Sequence, residues 1–417
     1  MAYILAINPS ILADAGMDRG ALVTVTALTA AVATALMAFL TNFPIALAPG
    51  MGINAFFTYT ICIGAGIPWQ EALGMVFVNG TIFLLLSVTG VRQKIVESIP
   101  YSLKIAITCG IGLFIAFIGL KNGGVIVANQ ATFVAPGNFT SGPVSLCLFG
   151  ILFTAILVAR RVPGAIILGI AVVTIAGLFI PNGQGGRVTT FSGSLVSLPT
   201  SPEPVFLKLS FGFLQSSEAF MKALPLILTL LLVDMFDNIG TLIGVTKRAG
   251  LLDRQGRLPK AGRALLADSL AAILSSLFGT STVVSYIESA SGVEAGGRTG
   301  LTALTTGALM LLALFATPLI LAIPAAATAP ALVIVGIFML QSVIEIDMSD
   351  FQIAAPAAIT IITIPLTFSI AEGIGLGLIT AALLALTTGR PKALPALGYA
   401  IAGVFFLEFF HIFPFSG

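Results

Sequence analysis

Charge is what this sequence has least of. Asp, Glu, Lys and Arg make up 9% of its 417 residues, where a soluble domain carries roughly 25%. That shortage excludes a water-exposed globular enzyme and a nucleic-acid-binding surface. Histidine is nearly absent as well, the one copy being His411 in the C-terminal tail. A proton relay built on imidazole is thereby excluded from the interior, so a protonation switch there has to use carboxylates. Cys62, Cys109 and Cys147 fall singly in apolar runs without metal-ligand spacing. They read as small packing residues, and neither a metal nor another cofactor is implied. No cleavable leader with a basic start is visible at the N-terminus.

What remains is apolar, with hydrophobic residues at 57% of the chain. Runs near 20–41, 43–66, 69–91, 103–121, 144–160, 163–181, 222–246, 262–279, 299–323, 329–346, 351–370 and 372–389 are each about 20 residues, long enough to cross a bilayer core as a helix. A short start at 3–13, a polar and broken stretch at 280–297 and a tail at 398–415 complete the set. The expectation is an all-α polytopic membrane protein of about fourteen spans plus one hydrophobic end. The period-two alternation of a barrel is missing. With residue 1 on the cytoplasmic side, fourteen of the 19 Lys and Arg residues fall on that side, most of them in short loops such as 247–263. Arg19, Lys121, Arg187, Lys208 and Lys222 fall outside. This asymmetry sets the orientation in a bacterial-type cytoplasmic membrane.

Residues 182–220, rich in Gly, Ser, Thr and Pro, read as an external linker between a first seven-span unit, 1–181, and a second, 221–389, followed by a hydrophobic tail, 390–417. Two spans are not ordinary helices. NFPIALAPGMGINAFFTY (42–59) places Pro49, Gly50 and Gly52 at mid-depth, where Pro removes a donor and Gly weakens a helix. GTSTVVSYIESASGVEAGGRTG (279–300) joins a β-branched start, a carboxylate and a Gly/Ser run. Lipid cannot solvate such a backbone, so both breaks must be buried in protein or line a cavity. Asn8 and Asn238 lie 230 residues apart, and Asn54 and Glu288 lie 234 apart. Two pairs of polar irregularities at nearly one offset suggest two copies of a unit, inverted because seven spans reverse direction.

The chemistry should reside in the few acids at mid-depth. LLVDMFDNIGTLIG (231–244) carries Asp234 and Asp237 in an apolar span, and Glu288 follows in the second break. A carboxylate there costs at least about 2.5 kcal/mol and persists where it faces a cavity or a partner. Asp234, Asp237 and Thr241 share one helical face. For Asp234 two readings stand: a proton-coupling group, or a structural one that bonds a neighbouring span. Glu288, flanked by Ser289, reads as functional. Asn54 offers amide donors and an acceptor beside the first break, and Phe56 offers a flat face for a planar heterocycle or plain core packing. Asp268 reads as a buried structural partner.

FDNIGTLIG, SYIESASGVEAGGRTGLTA and APGMGINAFF together resemble the nucleobase-cation symporter 2 superfamily, most closely its adenine/guanine/hypoxanthine permease branch, over nearly the whole chain. The resemblance implies the uracil-permease fold: inverted sevens, a core of spans 1–4 and 8–11, and a gate of spans 5–7 and 12–14. It implies Asp237, Glu288 and Asn54 as the site residues of spans 8, 10 and 3. The function implied is proton-coupled purine import by alternating access. Glu288 would accept two N–H groups, Asn54 would pair with the opposite edge, and Asp237 would carry the proton beside Asp234. Sodium as coupling ion and a homodimer are left open. The chain departs from the family by starting at MAYILAINP, halfway through span 1, as a truncated start would, and by having Asn238 and Thr241 as neighbours of the span-8 acid, around which the uracil permease has histidines. An anion or carboxylate carrier is the alternative, disfavoured by acids without basic residues at the same depth. An intramembrane aspartyl protease would need a GxGD context that is missing.

Overall fold

The computed structural model describes residues 1–89, 100–183, 185–191, 193–251 and 260–409. His411 and residues 252–259 of the loop 247–263 lie outside them, as do a few side chains within helices, that of Asp237 included. The apolar runs are helical: α1 (Ile4–Ala13), α2 (Arg19–Thr41), α3 (Met51–Ala55) running into a π-helix (Phe56–Gly64), α4 (Trp69–Thr89), α5 (Tyr101–Asn122), α6 (Gly142–Ala159) and α7 (Ala165–Gly177). After the linker come α8 (Ser217–Arg248), α9 (Ala261–Phe278), α10 (Ser289–Glu294), α11 (Gly300–Leu312), α12 (Thr317–Leu321), α13 (Ala325–Leu340), α14 (Phe351–Thr367), α15 (Ile370–Thr387) and α16 (Ala396–Phe409). Their limits have local causes. The Asp18 carboxylate caps α2 by accepting from Ala21 N at 2.7 Å, and Asn42 ends it at φ 62°, a left-handed position an Asn side chain tolerates.

Eight of the described helices are long and apolar enough to cross a membrane by themselves. Five more are apolar but shorter, among them Ile4–Ala13, Met51–Gly64, Ala165–Gly177 and Phe351–Thr367. Breaks shorten them: the second follows a strand, and the last stops at Phe368 with φ 55°. The strands are β1 (Leu47–Pro49), β2 (Ile126–Asn129), β3 (Phe133–Pro136) and β4 (Val283–Ser285). β2 and β3 form a hairpin between α5 and α6 that sequence reading did not anticipate. β1 pairs antiparallel with β4, Ala48 opposite Val284, so the two broken spans meet backbone to backbone.

The helices pack as two groups. In one, α2 packs on α1, α9 and α11, and α9 on α4; in the other, α5 packs on α13 and α14, α13 on α6 and α7, and α14 on α15. The pairings match across the two halves: α2 with α11 corresponds to α9 with α4, and α5 with α14 to α13 with α6. Close approach of α5 and α13 relies on glycine, since a Cβ on Gly336 would lie 2.3 Å from the Gly112 carbonyl. The linker is bound down between Thr200 and Ser210. Thr24 donates to the Thr200 carbonyl, and Leu207 N and Ser210 N donate to the carbonyls of Leu277 and Gln70.

Candidate functional site

The breaks supply the site, and their backbone groups are satisfied by protein. One edge of β1 pairs with β4. On its other edge the Thr34 hydroxyl accepts from Leu47 N at 2.9 Å and donates to Leu47 O at 3.1 Å. Gly50 N donates to Thr282 O and Tyr286 N to Ala46 O, while the Tyr286 hydroxyl donates to Pro49 O at 2.6 Å. The pair of broken spans thus gives these backbone groups protein partners, as hydrocarbon depth demands.

Asp234 lies inside that unit, fully buried. It accepts from Asn238 Nδ2 at 2.7 Å, Asn79 Nδ2 at 3.1 Å and Thr282 Oγ1 at 3.1 Å. Asn238 in turn accepts from Ser285 N at 2.8 Å. One carboxylate therefore ties α8 to α4 and to the second break. Asn8 makes a comparable node, donating to Thr26 Oγ1 at 2.6 Å and Thr280 Oγ1 at 3.1 Å. Asp268 is buried in α9.

Between the two helix groups lies a cavity of about 180 Å³, the room of about six waters at roughly 30 Å³ each. Tyr3, Thr241, Ser285, Tyr286 and Glu288 line one wall, and Thr108, Phe338 and Ser342 the other. Tyr3 donates its hydroxyl to Glu288. Glu288 also borders a second cavity of about 140 Å³ with Ser289, Ser291, Thr302 and Thr306.

Of the residues singled out in the sequence, Glu288 and Thr241 line the larger cavity. Ser289 is engaged elsewhere, accepting from Ala46 N at 3.0 Å. Asn54 is fully buried; its carbonyl oxygen accepts from the Ser281 hydroxyl, and its Nδ2 has no partner. Phe56 is also fully buried, within the hydrophobic core. Neither Asn54 nor Phe56 belongs to the cavity lining. Asn54, two positions after Gly52, turns to the opposite side of α3, and Phe56, on the side of Gly52, lies one turn further along, whereas Met51 and Gly52 at the first turn border the cavity. The side chain of Asp237 is outside the described residues. Sequence reading missed Tyr3, Thr108, Ser285, Phe338 and Ser342. Ser285 carried the clearest signal, a hydroxyl within the quoted string three residues before Glu288.

At the far end of α5 from Thr108, the two helix groups are joined by a polar and aromatic cluster. The Tyr59 hydroxyl donates to Asp14 at 2.6 Å and accepts from Asn122 Nδ2 at 3.3 Å. Lys121 Nζ lies 5.5 Å from the centroid of the Tyr59 ring and 5.6 Å from that of Phe368, within cation–π range. Thr60 donates to the Phe368 carbonyl at 3.0 Å, and the Phe368 ring meets Phe114 and Phe117 edge-on. Beside the cluster is a cleft of about 300 Å³ lined by Asp14, Cys62, Trp69 and Gln70.

Residues 1–376 match the model of a family described as the permease family. Over 98% of its length the chain is 42% identical to the guanine/hypoxanthine permease PbuG of Bacillus subtilis, covering 93% of that protein. It is 41% identical to the adenine permease AdeP of Escherichia coli, over 98% of this chain and 89% of the relative. Among solved structures, the transmembrane domain of the cyanobacterial bicarbonate transporter BicA superposes with a TM-score of 0.65 at 16% identity, covering 89% of this chain and 94% of the other. At that identity the likeness is one of fold.

Proposed function

The chain belongs to the permease family, and from that premise we propose that it is a secondary transporter importing purine nucleobases across the cytoplasmic membrane by proton symport. Relatives named as adenine and as guanine/hypoxanthine permeases support the substrate class. The observation that carries the reading is Glu288, an acid bordering a cavity between two separately packed groups of helices. An acceptor-only carboxylate suits the ring N–H groups of a purine. The described lining of that cavity holds no Lys or Arg, which favours a neutral base over an anion.

In this proposal units 1–181 and 221–389 are inverted repeats joined by the linker 182–220, with the tail 390–417 outside them. The group containing α1, α2, α4, α8, α9 and α11, with the two breaks, is the core; the group containing α5, α6, α7, α13, α14 and α15 is the gate. Movement of core against gate exposes the cavity to one side at a time. Glu288 holds the base and Thr241 borders it. Asp237 carries the coupling proton, Asp234 holds the breaks together, and Asn54 and Phe56 support the first break from behind. The test is uptake of radiolabelled adenine, guanine, hypoxanthine and uracil in cells lacking their own purine carriers, with and without a protonophore. Purine accumulation that the protonophore abolishes is expected. Accumulation that follows a sodium gradient instead would replace the coupling ion, and no purine uptake would overturn the reading.

A further inference from the structure

The cavity contains a hydrogen-bonding group that the folded chain leaves unused. Ser285 is 2% exposed, its Oγ has no partner, and it lines the cavity beside Tyr286 and Glu288. Its backbone is fixed, with N–H donated to Asn238 and a position in β4 opposite Leu47. Three other hydroxyls of the lining are committed: Tyr3 to Glu288, Tyr286 to the Pro49 carbonyl, and Thr108 back to its own helix at Lys104 O, 3.3 Å away. A buried hydroxyl without a partner destabilises a fold, and alanine would remove that penalty with little change of shape. Ser285 is therefore placed for something other than stability.

We propose that Ser285 is a specificity-determining residue whose hydroxyl completes its hydrogen bond on the 6-substituent of the bound purine, while Glu288 accepts the ring N–H. This rests on the purine-transport reading above. Ser285 and Glu288 are three residues apart, so at most about 10 Å of extended chain separates them, a distance a bicyclic base can bridge. The imidazole N–H is the donor that all these purines share, and the carboxylate is matched to it. At the other end the bases differ: adenine presents an amino donor, hypoxanthine and guanine an oxo acceptor. An amide or a cation would fix one polarity there, but a hydroxyl turns to accept from the first or donate to the second. Ser285 thus lets one cavity take 6-amino and 6-oxo purines alike.

The experiment is competition against one labelled purine in cells expressing wild type or Ser285→Ala, with adenine, hypoxanthine and unsubstituted purine, which has only hydrogen at position 6. Loss of one hydrogen bond should raise the inhibition constants of adenine and hypoxanthine about fivefold. That of unsubstituted purine should move by less than about twofold, and maximal rate and membrane abundance should hold. Thermal unfolding of the purified variant without substrate should be no earlier than that of wild type. Equal shifts for all three competitors would give Ser285 a merely structural role, and unchanged constants would remove it from the site; either result overturns the proposal. A wild type that takes up none of the bases would instead remove the transport reading and this role with it.

Discussion

Glu288 and Asp234 are both acids in the middle of the molecule, yet their surroundings separate them. Asp234 is fully buried and accepts from Asn238, Asn79 and Thr282. Asp234→Asn would set an amide donor against those donors and should cost about 2–3 kcal/mol of stability, seen as lower membrane abundance and earlier thermal unfolding. Glu288 borders open space and its carboxylate accepts from Tyr3. Glu288→Gln should leave abundance intact and weaken purine binding at least about tenfold, because an N–H of the base then meets an N–H of the protein; unchanged binding would remove Glu288 from the site. Asp237→Asn should abolish proton-driven accumulation while exchange down a gradient persists, and transport assays in vesicles separate the two. The acids were legible in the sequence because charge at that depth is costly and therefore conspicuous. Ser285, Thr108 and Ser342 were not, since a hydroxyl in a membrane helix commonly bonds its own backbone and costs little.

The broken spans were legible as breaks, because Pro49, Gly50 and the Gly/Ser run forbid a regular helix. Their pairing was not. Two three-residue strands from opposite halves of the chain, β1 and β4, leave no local trace that each is the other's partner. The phase of α3 was equally hidden: it decides that Gly52 faces the cavity and Asn54 faces Ser281. Packing of α5 against α13 is the element most exposed to single substitutions. Gly336→Val would force backbone away from backbone, because its Cβ would meet the Gly112 carbonyl at 2.3 Å. A loss of about 1–3 kcal/mol is expected, measured as reduced yield and a lower unfolding temperature. A variant as stable as wild type would mean that α5 and α13 separate freely.

At the scale of the whole molecule, the two helix groups touch differently at the two ends of the cavity. Toward Thr108 they enclose open space, and toward Asn122 they are fastened by Tyr59, Asp14, Lys121 and Phe368. Removing the Tyr59 hydroxyl in Tyr59→Phe, or the cation in Lys121→Ala, deletes a contact worth about 1 kcal/mol, which shifts a two-state equilibrium about fivefold. Both variants should speed labelling of a cysteine placed at Thr241 by an external, membrane-impermeant maleimide, in a background without Cys62, Cys109 and Cys147. No acceleration in either would show that the fastening does not hold that end shut. That the chain is a bundle of apolar helices was readable from the apolar runs; which end of the molecule is fastened depends on side chains hundreds of residues apart, Asp14 and Phe368 among them. The cleft beside that fastening holds the only tryptophan of the chain, Trp69. Ultraviolet excitation at the red edge therefore addresses a single indole, so the native emission spectrum of the unlabelled protein is an optical gauge of wetting at that one face, free of any contribution from the rest of the molecule.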